Sequence, residues 1–365
     1  MIQDQQIFQE RLDAVRSRLA EWEVAAVLIN SPTNRRWLSG FTGSNAQLLI
    51  TPRQAIIATD FRYYLQAAEQ APLFTLFQHE RTEKDTAVFL QQAHAGKIGL
   101  EAGHTTLTEA KKLQNAAPSI TWVPLAKTIE PLRQLKTPAE ITAIQAAAAL
   151  TDQAMSQVNE IARPGMTEHE LAWELEKTMR SAGADSLAFP IIVASGPNAA
   201  LPHYTTGRRQ LQMGDAIIID MGAQLNSYRS DMTRTFFLGN EPTSQFMEVY
   251  ELVLRAQTAV LAQTRPGMKN KTIDSIARDM IAAAGHGEHF GHGLGHGVGL
   301  DIHEDPFLSP RSPENEIVAA GMTLTVEPGV YLPGWGGARI EDLTVITDEG
   351  LIPLSRCPKN PIIPV

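Results

Sequence analysis

The sequence predicts an α/β (α+β) fold in two parts: a small N-terminal α/β domain, then a larger domain built from two duplicated α/β halves. Three observations carry this. Short apolar runs alternate with helical patterns through the first third. Two prolines then flank an abrupt change into a long alanine-rich helical stretch. Beyond it, one order of turn, helix and acid-bearing strand occurs twice.

In the first third, Phe8, Leu12, Val15 and Leu19 recur at helical spacing and predict a helix over 7–20. VAAVLI at 24–29 is apolar almost throughout, as a buried strand would be. AQLLIT (46–51) and AIIATD (55–60) read as a hairpin around Pro52-Arg53-Gln54. A helical stretch follows, then a strand KIGLE (97–101), another helix, and a strand TWVPL (121–125). The segment Pro131 to Pro138 reads as a boundary, giving domains 1–131 and 132–365. AEITAIQAAAALTDQAMSQV after it has high intrinsic helix propensity.

The repeat begins at Arg163-Pro164-Gly165-Met166 and recurs as Arg265-Pro266-Gly267-Met268, an offset of 265 − 163 = 102. Each copy leads into a helical stretch that ends in Ala-Gly, at 182–183 and 284–285. Each half then reaches an apolar strand with an acid near its end: AIIIDMG with Asp220, LTVEPG with Glu327. A second acid follows 231 − 220 = 11 and 341 − 327 = 14 residues later, Asp231 and Glu341. The order predicts a duplicated unit, with two halves related by a pseudo-twofold and each offering a carboxylate pair to a shared centre.

Composition excludes several function classes. The net charge is −9 with no basic run, which disfavours nucleic acid and anionic membranes as partners. The single cysteine, Cys357, allows no internal disulfide and fits a reducing compartment. The first residues lack the apolar centre of a signal peptide, and no apolar run approaches a membrane span, so the expected location is cytoplasmic.

Five of the ten histidines fall in one glycine-rich stretch, at His286, His289, His292, His296 and His303. Imidazole and carboxylate together suit a borderline or hard divalent metal. A carboxylate ending an apolar strand, as at Asp220 and Glu327, is costly unless paired, hydrogen-bonded or metal-bound. A hairpin joining 216–222 to 231–238 would bring Asp220 and Asp231 together, and a cation between them would remove their repulsion. Glu341 and Asp342 alternate in side, so only one can point inward, and periodicity leaves the two nearly even. Of the clustered histidines, one or two can ligate while others handle protons. His286 and His289 read as solvent-facing or structural. His203, isolated in ALPHYTT, reads by itself as structural.

HGLGHGVGLDIHE, IIIDMGA, SDMTRTFF, TVEPGVY and ARIEDLTV together resemble the metallopeptidases of the pita-bread fold, the group of methionine aminopeptidase, aminopeptidase P, prolidase and creatinase. ASGPNAALPHY is similar to that group's substrate-histidine segment. NRRWLSGFTGS and ATDFRYYLQA resemble, less specifically, the N-terminal domain of the creatinase, prolidase and aminopeptidase P branch, which disfavours methionine aminopeptidase. The resemblance implies two divalent ions, manganese first with cobalt or zinc as alternatives, held by Asp220, Asp231, His296, Glu327 and Glu341. It assigns Glu341 rather than Asp342. It implies that Glu327 also accepts a proton from water, that His203 and His303 contact substrate and stabilise the tetrahedral intermediate, and that His292 moves protons. Tyr331 and Arg339 match substrate-contact and supporting positions.

The activity so implied is hydrolysis of the Xaa-Pro bond at the N-terminus of a dipeptide or longer peptide, with a peptide bearing proline at its second position as substrate. The resemblance also implies a homodimer in which one subunit's N-terminal domain borders its partner's site. Phe41 or its neighbours are then expected near the partner's cleft, against a plain reading in which Trp37 and Phe41 pack in their own core. Two alternatives are a creatinase-like, metal-independent amidinohydrolase and a non-enzymatic peptide-binding module on the same fold. Relatives of both kinds lose the ligand carboxylates that this chain keeps.

Overall fold

The computed structural model describes residues 5–94 and 96–365 and divides the chain into two compact units, one running to Arg133 and the other from Gln134 to Val365. The first is a six-stranded mixed sheet in the order Thr75–Gln78, Ala55–Thr59, Gln47–Ile50, Ala26–Ile29, Lys97–Glu101, Thr121–Leu125. Ala26–Ile29 is buried throughout and sits centrally, antiparallel to Gln47–Ile50 and parallel to Lys97–Glu101. The hairpin at 46–60 forms with Ile50 opposite Ala55, and the Thr51 hydroxyl accepts from the Gln54 N–H (2.8 Å) to close its turn. Sequence periodicity does not show Thr75–Gln78. This edge strand is only partly covered, so it lacks the apolar alternation that marks a strand.

Trp37 and Phe41 lie in the core of this unit. Phe41 is 1 % exposed with its ring edge-on to Tyr63, and the Arg11 guanidinium lies 4.5 Å from the Trp37 ring centre. The plain reading holds for the rings of Trp37 and Phe41, which pack inside their own unit, while the neighbouring Thr42 and Ser44 are exposed.

The second unit contains two layered halves. Pro138–Ser156 and Glu168–Ser181 cover a four-stranded sheet in the order Ile362–Ile363, Met232–Leu238, Ala216–Met221, Ile192–Ser195. Ser244–Gln263 and Asn270–Ala283 cover a five-stranded sheet in the order Glu304–Leu308, Gly295–Gly297, Thr323–Val326, Asp342–Thr347, Gly350–Pro353. Pro138–Ser156 starts where the sequence signals say: Pro138 occupies the first turn, and Thr137 with Glu140 forms a reciprocal capping box.

The duplication extends to backbone detail. Gly165 and Gly267 adopt φ of +84° and +86° in the repeated turns. The residue just before each following helix makes an isolated antiparallel bridge, Thr167 to Gln210 and Lys269 to Ile317, again 269 − 167 = 102 apart.

The halves join where the Glu341 N–H donates to the Thr233 carbonyl (3.1 Å) and Thr235 Oγ1 bonds to the backbone of Arg339. Below this seam Arg234, fully buried, donates to the Glu341 carbonyl (2.6 Å), the Asp342 carboxylate (2.8 Å) and the Cys357 carbonyl (2.7 Å). Lys359 and Gln257 complete the shell around Asp342. Burial alone would raise the Asp342 pKa, but the two cations hold it below its ordinary value.

Removing one partner of a buried charge pair leaves the other uncompensated. Arg234→Ala is expected to lower the unfolding free energy by about 3 kcal/mol, read by denaturant melts. A change within error would show that this cluster does not fasten the halves.

Candidate metal centre

The strand registers deliver the acids. Ala216–Met221 pairs antiparallel with Met232–Leu238, setting Asp220 opposite Thr233 with Asp231 just ahead of the second strand. In the other half, Val326 lies opposite Asp342, so Glu327 and Glu341 leave the ends of paired strands on the same side. Alternation puts the two adjacent acids on opposite faces, and their partners show which face is inward. Glu341 points inward, accepting from Thr233 Oγ1 (2.6 Å), while Asp342 turns to Arg234 on the other face.

His296 enters from Gly295–Gly297. A Cβ at either glycine would collide with backbone oxygen, of Thr325 or of Asp305, so only glycine allows this strand to seat. The His296 N–H is held by Thr325 Oγ1 (3.0 Å), whose hydroxyl also donates to Glu327 Oε1 (3.1 Å).

One ligand atom each from Asp231, His296 and Glu341 lies within 4.8 Å of the others. His296 Nε2 is 3.6 Å from Asp231 Oδ2 and 3.4 Å from Glu327 Oε1. Asp220 joins from the side, its Oδ2 held by Arg339 Nη2 at 2.7 Å. Its Oδ1 is buried without a hydrogen-bond partner among the described residues.

The electrostatics follow from burial. Desolvation pushes Asp231 and Glu341 well above the usual carboxylate range, and the neighbouring carboxylates add to it. Burial lifts Glu327 to about 8 and raises Asp220, with Arg339 opposing both shifts. Burial lowers His296 to about 4, so its imidazole is neutral near pH 7. Its Nδ1 faces the Gly297 carbonyl (3.1 Å), which requires the proton there and leaves a lone pair on Nε2 aimed at carboxylate oxygens.

Ligand atoms of four acids and a neutral imidazole therefore converge, and without a cation burial favours protons on the acids. Four carboxylates face one buried guanidinium, Arg339, leaving a formal charge of −4 + 1 = −3 when all are ionised. That donor set fits divalent cations.

The remaining sequence-selected residues form two groups. Arg339 Nη1 donates to the Tyr331 hydroxyl (3.0 Å), which bonds His292 Nε2 (2.9 Å), while His292 Nδ1 meets the Gly293 carbonyl (2.7 Å). Both ring nitrogens of His292 are thus engaged. Burial lowers its pKa to about 4 and raises that of Tyr331 to about 12. His203 and His303 are exposed at the rim. The His303 ring packs edge-on to His296 at 4.4 Å, and both rim histidines act electrostatically on Asp220. His286 and His289 pack against each other, outside the Asp231–His296–Glu341 cluster.

Sequence reading missed Thr233 and Thr325. The available signal was a hydroxyl on the inward face of an otherwise apolar strand.

The chain is similar throughout to known proteins. Residues 142–348 match the model of metallopeptidase family M24, and residues 11–135 that of the creatinase/prolidase N-terminal domain. The uncharacterized peptidase YqhT of Bacillus subtilis is 38% identical, over 97% of this chain and 99% of that protein. The structure of an Xaa-Pro dipeptidase from Bacillus anthracis is 36% identical, superposing with a TM-score of 0.95 over 98% of this chain and 100% of that one. An X-Pro aminopeptidase from Thermotoga maritima gives 0.87 at 34% identity, over 94% and 98%. The chain belongs to metallopeptidase family M24, in its prolidase and aminopeptidase P branch, and is a metal-dependent peptidase.

A pH dependence follows for metal-stripped protein. His292 and His296, depressed to about 4, add stability as pH rises to the ordinary histidine pKa near 6.5 and nothing further above it. Glu327, raised to about 8, binds more protons folded than unfolded, so its contribution falls as pH rises through that value. Between pH ~6.5 and ~8 the stripped protein should lose stability, by at most about 1.4 kcal/mol per pH unit from each such group. Glu327→Gln should flatten the fall. Thermal melts with the same slope in both proteins would contradict the assignment.

Proposed function

We propose that this chain hydrolyses the Xaa-Pro bond at the N-terminus of peptides, using two divalent ions held by Asp220, Asp231, His296, Glu327 and Glu341. The carrying observation is the convergence of four carboxylates and a neutral imidazole lone pair on one buried point, with a single guanidinium as counter-charge. The proline preference rests on the similarity to the Xaa-Pro dipeptidase from Bacillus anthracis and the X-Pro aminopeptidase from Thermotoga maritima. Manganese is the first choice of metal, and the assembly is a homodimer.

Bound divalent ions would supply Lewis acidity, acidifying water and polarising the scissile carbonyl. The protein's own groups do the rest. Glu327, steadied by Thr325, accepts the proton of the attacking water. His203 and His303, at the rim, donate to the oxygen that gains charge. Arg339 and Tyr331 orient Asp220 and His292 from beneath and border the substrate. With both nitrogens of His292 engaged, its part in proton movement runs through the Tyr331 hydroxyl. An amidinohydrolase without metal, or a non-catalytic binding module, gives no reason to keep four acids buried together.

The test is product analysis on an Xaa-Pro dipeptide and the matched Xaa-Pro-Yaa tripeptide with manganese present. Release of the first residue from either supports the reading, and cleavage confined to peptides without proline contradicts it. Two variants separate ligand from substrate contact. Asp231→Ala should lose activity and most bound metal. His303→Ala should keep its metal while kcat falls by roughly 10²–10⁴-fold. Metal loss in His303→Ala would mean that ligand and catalyst have been exchanged.

A further inference from the structure

His203 sits in an irregular segment, yet that segment has a single organising point. Glu168, fully buried at the start of the helix Glu168–Ser181, accepts five hydrogen bonds from it. They come from the Ser195 N–H (2.8 Å), Ser195 Oγ (2.7 Å), Asn198 Nδ2 (2.9 Å), the Tyr204 hydroxyl (2.9 Å) and the Gly207 N–H (3.3 Å). The backbone of the same helical turn works in concert. The Glu168 and His169 N–H groups, which have no partner inside the helix, donate to the Arg209 and Gly207 carbonyls at 3.0 Å each.

All five donors, from four residues, lie within 195–207, which brackets His203. Burial holds Tyr204 protonated by raising its pKa to about 12, so it stays a donor. On the other side, Arg339 Nη1 donates to the carbonyl of Pro202, the residue before His203. The segment is therefore strung between a carboxylate beneath it and the guanidinium of the candidate metal centre.

An acid is required at this position because every partner donates. A glutamine would turn its NH₂ toward donors and leave some of them buried and unpaired. The second half contains a parallel device. Asp274, buried in the helix after the repeated turn, accepts from the Leu294 N–H (3.1 Å) and holds Arg278, which donates to the carbonyls of Phe290 (2.8 Å) and His292 (2.7 Å). In both halves the helix following the Arg-Pro-Gly-Met turn carries a buried acid that shapes a histidine-bearing loop.

We propose that Glu168 is the positioning residue for His203: its carboxylate fixes the 195–207 segment so that this imidazole is presented to the substrate. The proposal rests on the reading of His203 as a substrate contact and adds how that contact is held in place.

The test is a double-mutant cycle on the manganese-loaded full chain, with the peptide it cleaves best as substrate. Glu168→Gln should lower kcat/KM by up to about 10²-fold, the scale of a reacting group displaced by ~1 Å, with metal content unchanged. Tyr204→Phe, which removes one of the five bonds and keeps the ring, should lower it less and carries the test if Glu168→Gln does not fold. In a His203→Ala background, neither change should cost more than about twofold further, because effects through a shared partner do not add. In histidine-labelled protein loaded with diamagnetic zinc, the His203 resonance should shift in both variants while that of His79 in the other unit stays put.

Equal fold-losses with and without the His203 imidazole would overturn the proposal, as would an unmoved His203 resonance. Full activity in His203→Ala would instead remove the substrate-contact reading, and the proposal with it.

Discussion

The arrangement of the second unit depends on an unbalanced charge: four buried carboxylates and one guanidinium. Gathering acids is unfavourable, since each pays for lost hydration and repels its neighbours, and the raised pKa values of Asp231, Glu341 and Glu327 express that cost. The fold holds them in place by other means. Antiparallel registers fix where the strands end, glycines at 295 and 297 let a third strand seat, and the cluster of Arg234, Asp342, Lys359 and Gln257 fastens the seam between halves. The energy that keeps the acids together comes from packed helices and paired strands behind them. The site can therefore be electrostatically strained while its scaffold is not.

Much of this was legible in the sequence because strand-end acids in a repeated order are a local pattern. Asp220, Asp231, Glu327 and Glu341 each lie next to an apolar run, and the same order of turn, helix, acid and second acid in both halves pairs them. Only the family resemblance chose Glu341 over Asp342, since alternation says that they differ in side without saying which side is inward. The structure decides it through long-range partners, Thr233 for one and Arg234 for the other. Glu168 was invisible for the same reason: its partners lie 27 to 39 residues away in an irregular segment. Trp37 and Phe41 were ambiguous in the sequence, where core packing and a place near a partner both fitted aromatics beside a Gly/Ser loop; the structure buries both rings in their own unit.

Duplication explains how one site draws on elements so distant in sequence. Each half contributes a carboxylate pair from a strand pair and a histidine loop steadied by a buried acid on the preceding helix. The halves are not equivalent in use: the first supplies the exposed His203, the second the ligand-like His296 and the engaged His292. Arg339 connects these parts, touching Asp220, Tyr331, Thr233 and the Pro202 carbonyl. A change there would reach the acids, the Tyr331–His292 pair and the rim segment together.

The central claim is that the surplus negative charge is matched by divalent cations. Calorimetric titration of the metal-stripped protein with Mn²⁺ near pH 7, repeated in buffers of different ionisation enthalpy, tests it most directly. Two ions per chain should bind, with protons released on binding because Glu327, at about 8 without metal, is still largely protonated there. Saturation with fewer than two ions, or binding without proton release, would contradict the account.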